Sequence, residues 1–363
     1  VSCIGCRDAP TPPHDNSPAI VAERRAEYVG SQSCEECHRA ECWGHSLSGH
    51  ADTFRETALN SEFAALDGEK FTDADRGGEF LYTYLAETGL SVQYPEKFGE
   101  DAFPLPYALG SGRHAVTFLT LLPNEFGQTV GVEHRVSQFE DGRLARTPGA
   151  TADPARQDVE HFGEILVGEE LQDCINCHTT TADIVGTKIQ NLRPHVDCER
   201  CHGPASRHLD AAAARERDQR IDFGKGQHTS MDELRMCGAC HRLPEMLSDT
   251  PLVRTNPRLA RYQPVGLLQS ACLKASDGAL RCTTCHDPHA RADALSREEY
   301  SEACQTCHQQ RAVADCPQQA ERSNCIACHM PLVEVHPQVQ FHDHWIRVRD
   351  AADPPTVETS LPN

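Results

Sequence analysis

The chain has 363 residues and a formal charge of −20, from 54 acidic against 34 basic side chains, and no Lys/Arg-rich run interrupts that balance. Nucleic acid and anionic membrane surfaces are therefore not expected partners, because both are recognised through basic faces. No stretch approaches the roughly 20 apolar residues of a membrane-spanning helix, and the N-terminus lacks the charged-then-apolar layout of an export signal, so an exported chain is expected to be met here in its mature form. Apolar residues make up 39% and aromatics 6%, lean for this length, whereas 19 cysteines and 20 histidines exceed ordinary globular usage. Something other than side chains is expected to fill the interior.

In chain order, residues 1–29 are polar and carry Pro10, Pro12, Pro13 and Pro18. They predict an extended arm that docks on the chain's own core or on a neighbouring subunit. Residues 30–60 contain Cys34-x-x-Cys37-His38 and an amphipathic segment from residue 35 onward. Residues 61–173 contain no such motif. Within them 79–86, 90–94, 114–122 and 129–139 are rich in Val, Thr, Phe, Tyr and Leu and are separated by Gly, Pro, Asn and Asp, which predicts antiparallel strands of a small β insertion. In residues 174–346 six further motifs crowd into about 155 residues: Cys174-x-x-Cys177-His178, Cys198-x-x-Cys201-His202, Cys237-x-x-Cys240-His241, Cys282-x-x-Cys285-His286, Cys304-x-x-Cys307-His308 and Cys325-x-x-Cys328-His329. Ser230-x-x-Glu233 and Ser296-x-x-Glu299 read as capping boxes that start helices before Cys237 and Cys304. The rest of this half reads as loop, and 347–363 as a polar surface tail.

Cys-x-x-Cys-His is the attachment signature of haem c. On one helical turn two sulfurs three residues apart share a face and reach both vinyl groups of a porphyrin, and the next residue, His, lies under the ring as an iron ligand. Zinc knuckles need no His after each second Cys, and thioredoxin-like motifs occur singly beside a βαβ pattern. Seven repetitions favour seven covalently attached haems. That attachment takes place on the oxidising side of a membrane, so the chain is expected outside the cell or on its surface, alternatively in a periplasm. Five cysteines remain: Cys3, Cys6, Cys42, Cys272 and Cys316. Disulfides are expected among them, with Cys272–Cys316 the preferred pair. The thiol left over among Cys3, Cys6 and Cys42 can bridge chains, carry a lipid or stay free, and Cys3-Ile-Gly-Cys6 leaves an irregular eighth haem open.

Beyond the proximal set His38, His178, His202, His241, His286, His308 and His329, thirteen histidines remain but only four methionines. Bis-histidine ligation is therefore expected, which favours low potentials. His50, His114, His208, His289 and His344 lead the candidates for the sixth position, followed by His161, His195 and His228; His14 is a candidate ligand to a neighbouring subunit's haem. His289, three residues after His286, is too close to wrap around the same porphyrin and is expected to serve a neighbour, which forces haems into contact. An electron relay therefore leads over a multihaem reductase or oxidase of nitrogen or sulfur compounds. That alternative needs one five-coordinate haem, and the His241 motif, flanked by His228, Met231 and Met246, is its expected seat.

Several runs carry a family resemblance: Tyr28-Val-Gly-Ser before the first motif, Ser48-Gly-His50, Tyr107-Ala-Leu-Gly-Ser-Gly-Arg-His114, Val196-Asp-Cys-Glu-x-Cys-His-Gly-Pro204 with His208, Cys282-Thr-Thr-Cys-His-Asp-Pro-His289, and Cys-His-Met-Pro331 with Asp343-His344. Over about residues 28–346 the chain resembles bacterial multihaem cytochromes related to the nitrifier tetrahaem cytochrome c family, in particular a heptahaem branch of environmental bacteria. The resemblance implies a mainly α and irregular, haem-stacked fold with a small antiparallel β insertion. It also implies His50, His114, His208, His289 and His344 as distal ligands, and it is compatible with a Cys272–Cys316 disulfide. Expected partners are redox proteins or extracellular acceptors, and head-to-tail copies of the chain itself in a conductive filament tied together by the arm.

Overall fold

The computed structural model describes residues 25–217, 220–224, 228–248, 250–308, 324–337 and 339–357. Its first strands are β1 (Phe54–Glu56), β2 (Lys70–Asp73), β3 (Gly78–Leu85), β4 (Gly89–Gln93), β5 (Ala102–Leu105), β6 (Tyr107–Leu109), β7 (Ala115–Pro123), β8 (Thr129–Phe139), β9 (Leu144–Arg146) and β10 (Gly163–Leu166). Strands β2 to β5 pair in sequence as a four-stranded antiparallel sheet. A second antiparallel sheet runs β1-β6-β7-β8-β10, with β9 also on β8.

Period-two alternation dictates how these sheets meet. Phe80 and Tyr82 of β3, Leu90 and Val92 of β4, and Leu105 of β5 pack against Val116 and Phe118 of β7 and Val136 of β8 in one apolar layer. Strand β7 is buried on both faces. Leu119 and Leu121 point the other way, into a second layer that contains Leu171 and Ile175 of the helix Gly168–Asn176. That helix carries Cys174, so the β module is fastened directly to an attachment motif.

Two polar groups are sealed inside. His134 donates from Nδ1 to the Phe162 carbonyl at 2.7 Å, and its Nε2 accepts the Tyr82 hydroxyl at 2.8 Å. Beside it, Arg135 Nε meets Asp73 at 2.8 Å with both side chains essentially inaccessible. Burial pushes His134 down to about 4. An unfolded chain binds a proton near pH 6.5, so stability falls as pH drops from about 6.5 towards 4 and levels off below, a span of roughly 3 kcal/mol. Denaturant unfolding of the holoprotein at pH 7 and pH 5 tests this: His134→Gln should flatten the decline, and an unaltered slope would rule the assignment out.

The mainly α expectation is overturned. Helix accounts for 33% and strand for 25%, with several antiparallel sheets. The β module is two sheets rather than a small insertion, and it begins at Phe54, inside the segment read as belonging to the first motif. Two hairpins also follow attachment motifs, β11 (Thr179–Val185) with β12 (Lys188–Pro194) after His178, and β13 (Leu332–His336) with β14 (Val339–His342) after His329. They are short and partly exposed, with register irregularities, so their sequences carry little alternation.

Both apolar clusters draw all their members from residues 54–192. The later motifs are joined by polar ties instead. The tail folds back through Arg347 to Asp353 at 2.7 Å, Arg349 to Asp343 at 2.7 Å, and the Val357 amide to the Leu332 carbonyl. Among the described residues no helix is long and apolar enough to cross a membrane.

Candidate metal centres

Several motifs are closed by hydrogen bonds within their own backbone. The amides of His38, His286 and His308 donate to the carbonyls of Cys34, Cys282 and Cys304 at 2.9, 3.0 and 2.9 Å, closing one turn each. Helices Cys198–His202, Ser230–His241 and Cys325–His329 contain whole motifs. The box at Ser296 and Glu299 caps Arg297–Gln305, as expected. The other does not form: Thr229 and Asp232 cap Ser230–His241, one residue earlier. Ser230 and Glu233 are buried on the face that meets the next motif, where the Ser230 hydroxyl donates to the Leu280 carbonyl and Glu233 accepts from Thr283.

Four proximal histidines face a second imidazole across a gap. Ring centres are 6.3 Å apart for His38 and His208, 6.2 Å for His50 and His241, 6.1 Å for His202 and His289, and 6.1 Å for His286 and His344. A metal held between two imidazoles through bonds of about 2 Å places their ring centres roughly 6 Å apart. The donor set and its spacing therefore fit an iron of haem c with two axial histidines. His202 Nδ1 is tied to the Asp222 carbonyl at 2.9 Å, His241 Nδ1 to Gln263 Oε1 at 3.1 Å and His344 Nδ1 to the His342 carbonyl at 2.8 Å. This leaves Nε2 of each for a metal, the usual arrangement behind a ligating histidine. Burial holds His50 and His344 down at about 4, so both are neutral at pH 7 with a lone pair to give.

His178 and His329 are oriented in the same manner, by the carbonyls of Thr53 at 3.1 Å and Arg347 at 2.9 Å. Among the described residues no histidine ring faces His178, His308 or His329 as in the four pairs. His114 packs against Phe341 instead, ring centres 4.5 Å apart and tilted by 50°. His161 lies on the β module against Phe98 and Lys97. His195 accepts the Phe54 amide, and His228 pairs with Glu233 at 3.3 Å. His14, Cys3, Cys6 and Cys316 lie outside the described residues. His342, a weaker candidate from the sequence, has Nδ1 on the Met330 carbonyl beside His329; the signal for it was its place in His342-Asp-His344.

The sulfurs also approach one another. Cys34 lies near Cys198, Cys177 near Cys240, Cys237 near Cys282, and Cys304 near Cys325. Burial is the first cause that lifts Cys34 to about 12 and Cys304 to about 11, and the neighbouring sulfur adds to it. Cys42 sits by Cys198 in the same group.

Two glycines allow the backbone to pass behind the second imidazoles. A Cβ on Gly44 would stand 2.3 Å from the His289 carbonyl oxygen, and one on Gly266 would stand 2.6 Å from the Trp345 amide and 2.7 Å from the His344 carbonyl carbon. Gly44→Ala should therefore cost about 1–3 kcal/mol, the range for overpacking, and loosen the His202/His289 pair. Thermal unfolding together with the ferric spectrum checks it, and wild-type values in both would show that the loop gives way freely.

Residues 139–203 match the family described as cytochrome c554 and c-prime, and residues 275–313 match the doubled CXXCH motif. These matches support a multihaem c-type cytochrome. The first takes in the His178 and His202 motifs and the second the His286 and His308 motifs, and neither spans half of the cytochrome chain. No curated protein and no solved structure matches it. In this cytochrome the Cys-x-x-Cys-His motifs indicate covalently bound haem c, and haem-based electron transfer is the function that the matched families suggest.

Proposed function

We propose that this cytochrome carries seven haems, holds most of them between two imidazoles, and works outside the cytoplasm as an electron relay rather than as a catalyst. The observation that carries the reading is the set of four imidazole pairs at 6.1–6.3 Å. An iron with both axial positions filled offers no site to a substrate, whereas it exchanges electrons with little rearrangement. Haem c supplies the one-electron Fe(III)/Fe(II) couple; the chain supplies position. Thioethers from paired cysteines would anchor each ring, and imidazoles tied through Nδ1, such as those of His178, His202, His329 and His344, would hold irons in place.

The pairs also cross-link motifs. His208 follows the His202 motif yet faces His38, and His289 follows the His286 motif yet faces His202. A ligand lent to a neighbour holds two haems close, and the sulfur contacts run between motifs in the same way. Mass spectrometry of the intact protein should give seven haem additions, and ferric electron paramagnetic resonance should be dominated by low-spin signals. Fewer additions, or a largely high-spin spectrum, would defeat the relay.

A second reading, oxidoreductase chemistry at one open haem, attaches to the His178 motif. The expected seat, the His241 motif, has His50 across from it at 6.2 Å. Around His178, by contrast, charges gather: Arg261 is near His178, Glu140 and Arg261 are near His114, and Arg261 with Glu164 and Glu170 is near Glu133, which in turn neighbours Cys174. Nitric oxide or azide binding to a single ferric haem would favour this reading; a fully low-spin protein that binds neither excludes it. Filament assembly through the arm rests on residues outside those described and forms no part of the proposal.

A further inference from the structure

Two carboxylates inside the haem region are almost completely buried and reach from one attachment motif to another. Glu199, the residue after Cys198, is 3% exposed; its Oε1 accepts the amides of Val29 at 2.8 Å and Ala205 at 2.9 Å, and its Oε2 accepts the Gly30 amide at 2.8 Å. Val29 and Gly30 lead directly into the His38 motif. Glu233, one turn before Cys237, is 1% exposed; its Oε1 accepts the Thr283 amide at 2.7 Å and its Oε2 the Thr283 hydroxyl at 3.0 Å. Thr283 lies between Cys282 and Cys285. His228 at 3.3 Å and Arg281 at 3.9 Å complete its surroundings.

Each tie coincides with a pair of neighbouring sulfurs. Glu199 joins the two motifs whose first cysteines, Cys34 and Cys198, are neighbours, and Glu233 joins the two whose first cysteines, Cys237 and Cys282, are neighbours. A buried carboxylate is a costly way to hold two segments together, since apolar packing does it without desolvating a charge. What it adds is directional register, through short bonds to backbone amides, and an acidic group between two attachment motifs.

We infer that Glu199 and Glu233 are positioning residues that lock the array into two clamped dihaem units, His38 with His202 and His241 with His286, and hold the potentials of those four haems down. The inference rests on the seven-haem relay reading. The charge acts because an anion in a poorly screened interior stabilises the ferric state over the ferrous. The clamp acts because the separation of two motifs is set by two or three hydrogen bonds rather than by a wide apolar contact.

The test is a spectroelectrochemical titration of the intact holoprotein for wild type, Glu199→Gln, Glu233→Gln, Thr283→Val and the combination of the last two, with Glu125→Gln in the turn between β7 and β8 as a control. Glutamine keeps the shape and one acceptor, and valine removes only the hydroxyl. Glu233→Gln should keep seven low-spin haems, raise the potential of two of them and leave five unchanged. Thr283→Val should shift the same two, and the double variant should fall short of the sum. Glu199→Gln should move a different two. Unchanged potentials in both glutamine variants overturn the inference, as does a loss of thermal stability without any shift in potential, which would make the carboxylates structural only. A wild type with fewer than seven haems or with a largely high-spin spectrum fails the relay reading instead, and the two failures are told apart by haem count and spin state before any titration.

Discussion

Replacing His289 with alanine should turn about one seventh of the ferric haem from low to high spin while the protein keeps all its haems. The ring of His289 lies parallel to that of His202, at 4° and 6.1 Å between centres, so the side chain fits a sixth ligand rather than an attachment point. The attachment sulfurs Cys198 and Cys201 are untouched by the substitution, which is why mass should not change. His289 is an outlying member of the loop after His286, held by its amide on Asp287 Oδ1 at 2.9 Å, and alanine keeps that bond. Methionine at the same position should restore a low-spin spectrum at a raised potential, because thioether ligation favours the ferrous state. Resonance and redox titration of both variants check this. A low-spin alanine variant would show that another group takes the position and that the pairing with His202 is incidental.

The second large effect is expected at the His241 motif. Its sulfurs have neighbours in three other motifs: Cys240 lies near Cys177 and Cys201, and Cys237 near Cys282. A double Cys237→Ala, Cys240→Ala variant should lose one haem by mass and, with it, electron exchange between the haems on either side. Cys325→Ala with Cys328→Ala removes a haem whose motif has its close sulfur contact with Cys304 alone among the four such pairs, so it should shorten the relay without dividing it. Stopped-flow reduction read at the remaining haems separates the outcomes: two unequal phases in the first variant, one in the second. Identical kinetics in both would refute a central place for this haem. The His50 side chain, left without its iron, gives an internal check, since His50 is held neutral by burial and by the facing His241.

How much of this could be read in advance differs from residue to residue. Strands β7 and β8 were legible because long alternating runs of Val, Thr, Phe and Leu leave few other solutions. Hairpins β11–β12 and β13–β14 were not, since their pairing depends on where the neighbouring motifs put their ends. Glu233 was read as a helix cap because its spacing from Ser230 is right for one. In the fold it is drawn to Thr283, fifty residues on in the chain, and Asp232 takes the cap. Glu199 carried no signal beyond its position within Cys-Glu-x-Cys-His.

The attachment sites themselves were determined by the sequence alone, because two cysteines and a histidine within five residues are brought together by a single turn of backbone. The family matches at residues 139–203 and 275–313 each take in two of these sites. Only the tertiary structure decided which second histidine faces which motif. His50 meets His241 and His208 meets His38 across long stretches of chain, and a ligand contributed from afar leaves no spacing to read. The cofactor's place is local chemistry; its neighbours are a property of the fold.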